Sequence, residues 1–388
     1  MNRFGLAMLA MAGAAFAQTA PPPPATVTFT DAEVRRILSL GPWPPPRTVD
    51  PSNRVSGKPA AIALGERLFS DASLSRTGTI TCATCHPPSR AFADGRPRAH
   101  GIGDVDRNAP SLANVGGQRW YGWDGANDSL WAQSLRPIVD AREMGGDFAR
   151  VASRLRSDPE LRTMFVAAFG GAPPADDEAL AVDAAKALAA YQETLVTGRT
   201  PFDDFRDALA RGDKAAMARY PILAQRGLAI FAGSGNCTMC HGGPRLSNGE
   251  FHDVGIAFFV EPGRVDPGRH AGIGKLQASR YNLLGPYNDD PTRGTATGTR
   301  YVALDHRNFG EFKVPSLRNV ARTAPYMHNG SLATLRDVVR HYSNLDEDRL
   351  HADGERILKP LGLDKYDVDA LVAFLESLSE PAQAAGLR

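Results

Sequence analysis

Cysteine is scarce in this chain: four residues among 388, too few for a disulfide scaffold of this size. Charge of one sign is lacking too, with 44 Lys and Arg against 43 Asp and Glu. That balance leaves no electrostatic footprint for nucleic acid or an anionic membrane, so any docking surface must be a local patch. Past the N-terminus no segment has the length and apolarity of a transmembrane helix. Alternating β-branched stretches are few, which argues against an all-β fold.

The first residues read as a secretory signal over 1–17: Asn2-Arg3, an apolar run from Phe4 to Ala15, and Ala15-Phe16-Ala17 before Gln18. The apolar run is too short for a stable membrane anchor. The expectation is a soluble periplasmic protein released by cleavage.

What is present is concentrated. All four cysteines fall in two pentapeptides of one spelling, Cys82-Ala83-Thr84-Cys85-His86 and Cys237-Thr238-Met239-Cys240-His241. Two thiols on one turn add across the vinyl groups of a haem, and the adjacent histidine becomes the proximal iron ligand. A Cys₄ zinc site or a pair of redox dithiols would use the same cysteines. Zinc pairs usually sit about 15–20 residues apart, and neither alternative explains a histidine after both pairs. The reading is two covalent c-type haems, held by Cys82, Cys85 and His86 and by Cys237, Cys240 and His241.

Prolines Pro21–Pro24 and Pro42, Pro44, Pro45 and Pro46 flank a short helix that Thr30 and Asp31 cap. Residues 18–57 therefore read as an extension packed on the domains. Helical periodicity runs through Phe148–Phe169, Ala179–Thr197, Leu223–Phe231, Thr334–Tyr342 and Val368–Leu378. The Gly-, Asp- and Arg-rich stretch from Asn248 to Phe312 reads as loop.

The two halves repeat. Ala109-Pro110-Ser111-Leu112-Ala113-Asn114-Val115 matches Val314-Pro315-Ser316-Leu317-Arg318-Asn319-Val320, Asp124-Gly125 matches Asn329-Gly330, and Trp123 falls opposite His328. The expected fold is mainly α, with two cytochrome c-like domains at 58–210 and 211–388, each carrying one haem, and few short strands.

Carried further, the register sets Tyr342 opposite Pro137. Leu335, Val338, Val339 and Tyr342 share a helical face. If that face covers the second haem, Tyr342 reaches its iron, whereas Pro137 cannot ligate the first. An ordinary buried tyrosine fits the same periodicity. In the first half Gln133 and Glu143 are candidate distal groups: a carboxylate can shuttle the proton of hydrogen peroxide, and an amide can orient it. Each also reads as a plain surface or loop-capping polar residue. His100 is a candidate sixth ligand on a flexible loop, or an exposed histidine. Trp123 is a candidate electron relay, or a core residue.

On Leu68-Phe69-Ser70-Asp71, both haem motifs, Trp123-Asp124-Gly125, Gln133, Glu143 and Ala324–Gly330, the chain resembles the bacterial di-haem cytochrome c peroxidase family with its MauG-like members. The resemblance covers roughly Ala61 to Leu378. It implies a peroxide-reactive haem on His86 with Gln133 and Glu143 distal, and Trp123 carrying electrons or holes between the haems. It also implies His100 as a removable cap, and one Ca²⁺ held by Asn108 with the carbonyls of Thr323 and Pro325, an all-oxygen set that suits this ion. Tyr342 stands where peroxidases of the family usually place Met, and MauG-like members place Tyr. A tyrosinate stabilises oxidised iron, which suits storage of a second oxidising equivalent as high-valent haem. Ala126 stands where the family commonly has Arg.

The function expected from the resemblance is a peroxide-using oxidase that removes electrons over long range from Trp or Tyr side chains of a partner protein. A cytochrome c peroxidase fed by a small donor cytochrome is the alternative, and a non-enzymatic di-haem carrier the third. Gln133 and Glu143 argue against the carrier, Tyr342 favours the oxidase, and His100 favours the peroxidase.

Overall fold

The computed structural model describes residues 27–381 apart from 258 and 355–356. The secretory signal expected at 1–17 and the prolines Pro21–Pro24 lie outside the described residues. Helices dominate, and the strands are two short antiparallel pairs, Phe251–His252 with Phe312–Lys313 and Phe259–Glu261 with Arg264–Val265.

Two large hydrophobic cores organise the described residues, beside a small cluster of Trp120, Phe251 and Leu276. The first gathers Leu64, Leu68, Phe69, Trp131, Leu135 and Leu188; the second gathers Phe205, Leu228, Phe231, Val339 and Phe374. Each such side chain contributes about 1.5–3 kcal/mol when fully buried. Leu283 and Ala296, far along the chain, belong to the first core. All but the last residue of the Pro201–Arg211 helix falls within the first unit as the sequence divides it, yet the helix packs Phe202 and Phe205 into the second core.

The repeat is physical. In each half the helix before the haem motif crosses a later helix on a glycine. A Cβ on Gly65 would stand 2.0 Å from the Ala187 carbonyl oxygen, and one on Gly227 would stand 2.0 Å from that of Ala370. The Pro59–Phe69 helix thus meets Asp177–Gln192 as Ile222–Ala232 meets Lys365–Glu376, backbone against backbone. Asn114 and Asn319 both adopt left-handed backbone conformation, at φ 63° and 59°. Each side-chain oxygen accepts the N–H of a residue beyond the long helix, Thr197 in one half and Glu380 in the other, at 2.9 Å.

Thr30 caps the Asp31–Ser39 helix through a capping box with Glu33. That helix buries Ile37 in the second core, and the Trp43 indole N–H donates to the Thr197 carbonyl at 2.9 Å. The extension therefore packs on the folded body. The periodic run 148–169 divides at Asp158, whose carboxylate caps a new helix that has Pro159 at its first position. The stretch read as loop contains a helix, Arg269–Ala278. Its Gly272 lies against the Asp124 carbonyl, where a Cβ would come within 2.0 Å.

Candidate di-haem site

Both pentapeptides open onto one continuous cavity of about 910 Å³. Cys85 and His86 line one part of it, and Cys237, Cys240 and His241 another. Thr81 caps the Cys82–Cys85 turn and so places both thiols on one side of the chain. None of the four cysteines is in a disulfide.

The two histidines are held alike. His86 Nδ1 meets the Phe92 carbonyl at 2.9 Å, and His241 Nδ1 meets the Leu246 carbonyl at 3.1 Å. A carbonyl can only accept, so Nδ1 carries the proton and Nε2 keeps its lone pair for a metal. Burial pushes both rings toward the neutral form a ligand needs, His241 down to about 4. The loops that supply these carbonyls are pinned in parallel, by Ser111 Oγ on the Ala91 carbonyl at 2.6 Å and Ser316 Oγ on the Arg245 carbonyl at 2.7 Å. Two thioether-forming pairs, two oriented imidazoles and a shared apolar-walled cavity fit two covalent haems.

Above the first pentapeptide, the Leu130–Val139 helix contributes Leu130, Gln133, Arg136 and Pro137 to the cavity wall, with Glu143 just beyond it. Asn127 Nδ2 donates to Gln133 Oε1 at 2.8 Å, which turns the Gln133 NH₂ away as a spare donor. Arg136 pairs with Glu143 Oε1 at 2.7 Å. Gln133 and Glu143 therefore line the same cavity as His86, each with one end anchored.

Tyr342, on the Leu335–Ser343 helix, lines the cavity with Leu335, Val338 and Val339. Burial pushes its phenol above the ordinary tyrosine range, and nearby Cys237 and Cys240 push the same way. Among the described residues nothing hydrogen-bonds to its hydroxyl. Pro137 occupies the matching position inside its own helix. His341, beside Tyr342, meets the Val254 carbonyl at 2.7 Å through Nε2.

His100 does not enter the cavity wall. Its ring is 46 % exposed and its Nδ1 lies 2.6 Å from the Asp104 carboxylate, while its neighbours Ala99 and Gly101 face the cavity. Gly101 packs on the Glu143 backbone, and Ile102 N–H donates to the Glu143 carbonyl at 2.9 Å. The loop thus positions Glu143 through its main chain.

Trp123, Asn108, Thr323 and Pro325 also line the cavity. Asn108 Nδ2 donates to the Arg96 carbonyl at 2.7 Å, so its Oδ1 faces the other way as an available oxygen ligand. That arrangement fits the oxygen donors a Ca²⁺ ion takes.

Several groups here were not singled out from sequence. Arg107 meets Asp124 at 2.8 Å and Asp266 at 2.6 Å. Burial pushes the Asp124 carboxyl up, but Arg107 and Lys275 outweigh it and hold it down to about 2. Burial pushes Lys313 down to about 8; its ammonium meets Gln118 and the Trp120 carbonyl, and its N–H donates to the Trp123 carbonyl at 2.8 Å. His328 stacks on Phe312 with centroids 3.5 Å apart and planes at 6°, and burial pushes it down to about 4. The sequence signals were positional: His328 is the repeat partner of Trp123 and lies within Ala324–Gly330, and Asp124 directly follows Trp123.

A mainly helical pair of repeated units, each with a thioether-forming turn and an oriented imidazole on a shared cavity, defines a di-haem c-type oxidoreductase. Known proteins agree. A sequence model of the di-haem cytochrome c peroxidase family matches residues 59–212. The chain is 36% identical over 327 residues to the methylamine utilization protein MauG of Methylorubrum extorquens, covering 84% of this chain and 80% of that protein. It is 34% identical over 345 residues to the cytochrome-c peroxidase IdrP1 of Denitromonas iodatirespirans, covering 88% of this chain and 86% of the relative. It also matches the crystal structure of a MauG-like protein associated with microbial copper homeostasis, with TM-score 0.65 and 28% identity over 89% of this chain and 97% of that one. The chain belongs to the di-haem cytochrome c peroxidase/MauG family and is a peroxidase-type oxidoreductase.

Proposed function

We propose that this enzyme uses hydrogen peroxide to oxidise tryptophan or tyrosine side chains of a partner protein by long-range electron transfer, in the periplasm. The observation that carries this reading is Tyr342. It lines the cavity beside Cys237 and Cys240 with no described hydrogen-bond partner on its hydroxyl. Such an oxygen is free to bind a metal, whose positive charge would offset the burial that favours the protonated phenol, and an anionic oxygen favours oxidised iron over reduced iron. The alternative is reduction of peroxide with electrons from a small donor cytochrome. It rested on His100 as a removable cap, and the His100–Asp104 pair weakens that support.

Bound at His86 and His241, the haems supply the redox-active iron. The protein supplies the rest. Glu143, with Oε1 held by Arg136, presents Oε2 to take a proton from peroxide and return it to the departing oxygen. Gln133, with Oε1 held by Asn127, presents its NH₂ to orient the peroxide. Trp123, fixed through both its indole and its carbonyl, provides an oxidisable ring on the cavity wall. Asn108 with Thr323 and Pro325 would hold Ca²⁺ where the two halves meet.

The test is to add stoichiometric peroxide to the fully ferric haem-loaded protein and follow its visible and near-infrared spectrum. The expected result is a long-lived oxidised state without prior reduction. Reaction only after one haem has been reduced by a donor would overturn the reading in favour of the peroxidase.

A further inference from the structure

Away from the cavity, two imidazoles and a carboxylate converge from separate stretches of chain. His306 opens the short turn His306–Asn308, and His351 and Asp353 follow the turn Glu347–Arg349. One ligand atom from each of the three lies within 4.8 Å of the others. His306 Nδ1 is 3.0 Å from Asp353 Oδ2, the His306 and His351 rings are 5.0 Å apart, and the Asp353 N–H donates to His351 Nδ1 at 3.3 Å. Two of the three side chains are free to turn, His306 being 73 % exposed and Asp353 64 %.

We propose that His306, His351 and Asp353 bind one late first-row divalent cation of the zinc or copper type. Two imidazoles and one carboxylate are too nitrogen-rich for Ca²⁺ or Mg²⁺ and suit Zn²⁺, Cu²⁺ or Ni²⁺. Bonds of about 2.1 Å at tetrahedral angles set ligand atoms roughly 3.4 Å apart. Rotation of the exposed His306 and Asp353 closes the cluster to that spacing without moving the backbone, and water completes the fourth position.

The ion would act as a clip. The His351 N–H already donates to Asp253 Oδ2 at 2.7 Å, and Asp253 lines the haem cavity. Beyond Asp353 the chain returns to the cavity at Ile357–Leu361, where the Leu361 N–H donates to the Tyr342 carbonyl at 3.2 Å. Joining His306 to His351 and Asp353 therefore closes a surface loop whose far end rests on the tyrosine helix.

The experiment uses tag-free, haem-loaded protein stripped with chelator, dialysed against micromolar Zn²⁺ and assayed by metal mass spectrometry. The expected result is one zinc per chain, lost in His306→Ala and in His351→Ala, with Soret spectrum and melting temperature unchanged. Zinc should also slow tryptic cleavage at Arg349 several-fold in the unaltered protein. No uptake, or equal uptake by both variants, overturns the site; uptake with unslowed cleavage overturns the clip.

Discussion

The indole N–H of Trp123 donates to the carbonyl of Asn108 across 2.9 Å, and the Asn108 N–H donates in turn to the carbonyl of His328 at 2.8 Å. Trp123 and His328 occupy matching positions of the two halves, so one residue couples repeat partners through its own peptide groups. The His328 ring stacks on Phe312, whose neighbour Lys313 donates back to the Trp123 carbonyl. The relay candidate is therefore held at both its polar ends, its carbonyl directly by Lys313 of the second half and its indole by Asn108, which is itself tied to His328.

Trp123→Phe keeps a ring but removes the N–H and is harder to oxidise. Stability should fall by about 1 kcal/mol for the lost hydrogen bond. Oxidation of a partner protein should fall far more than peroxide consumption does, read by stopped-flow in parallel assays. An equal loss in both would place Trp123 at the peroxide step instead.

Glu143→Gln keeps shape and a hydrogen-bonding end but cannot accept the proton. The rate of reaction with peroxide should fall by about 10²–10⁴, with haem content and Soret position retained. A variant within a factor of a few of the parent would remove Glu143 from the proton step.

Tyr342→Met exchanges an anionic oxygen for a neutral thioether and should raise the potential of the haem on His241. Spectroelectrochemical titration measures it. An unchanged potential would show that Tyr342 is not a ligand.

Glu193 gives a pH prediction outside the haem cavity. Burial pushes its carboxyl from the usual range up to about 7, against a lowering hydrogen bond from Ser56 at 2.7 Å. Folding favours its protonated form. Below pH 4.5 both folded and unfolded chains hold the proton and that stability is fully present; between 4.5 and 7 the unfolded chain releases it first, and stability falls. Glu193→Gln should match the parent near pH 4 and exceed it at pH 8 by on the order of 2 kcal/mol. Denaturant melts of the haem-loaded protein at both values would detect this.

Gly227→Ala and Gly65→Ala put a methyl where the crossing helix has a carbonyl. Either should destabilise by about 1–3 kcal/mol or more, as forced separation of packed helices does. Thermal unfolding checks it, and Gly274→Ala, with open space at its Cβ, is the control.

The cofactor motifs and the repeat were legible because covalent chemistry and duplicated loops leave their marks in letters. The Leu335–Ser343 helix was legible because its apolar face is confined to one stripe and Thr334 caps it with Asp337. The Arg269–Ala278 helix was hidden because it starts without a side-chain cap and its buried face mixes Arg269 and Gly272 with only two apolar residues, Ile273 and Leu276. Arg269 sits 4.1 Å from the Phe251 ring and donates to the Gly125 carbonyl at 2.8 Å, contacts made far along the chain. The break at Asp158-Pro159 was written in the sequence, since proline there opens a helix, but the continuing periodicity masked it. His100 marks what spacing leaves open: it follows the first haem motif by 14 residues, and its Nδ1 lies 2.6 Å from the carboxylate of Asp104, four residues on.

Leu283 and Ala296 sit in the first core although the chain reaches them long after the second pentapeptide. A chain delivered from its N-terminus cannot finish that core until those residues arrive. The shell against which Cys82 packs thus depends on chain from beyond the second pentapeptide, so the two repeated halves are not separable at the boundary between them: a piece ending before Leu283 would carry the first haem motif with its core unfinished.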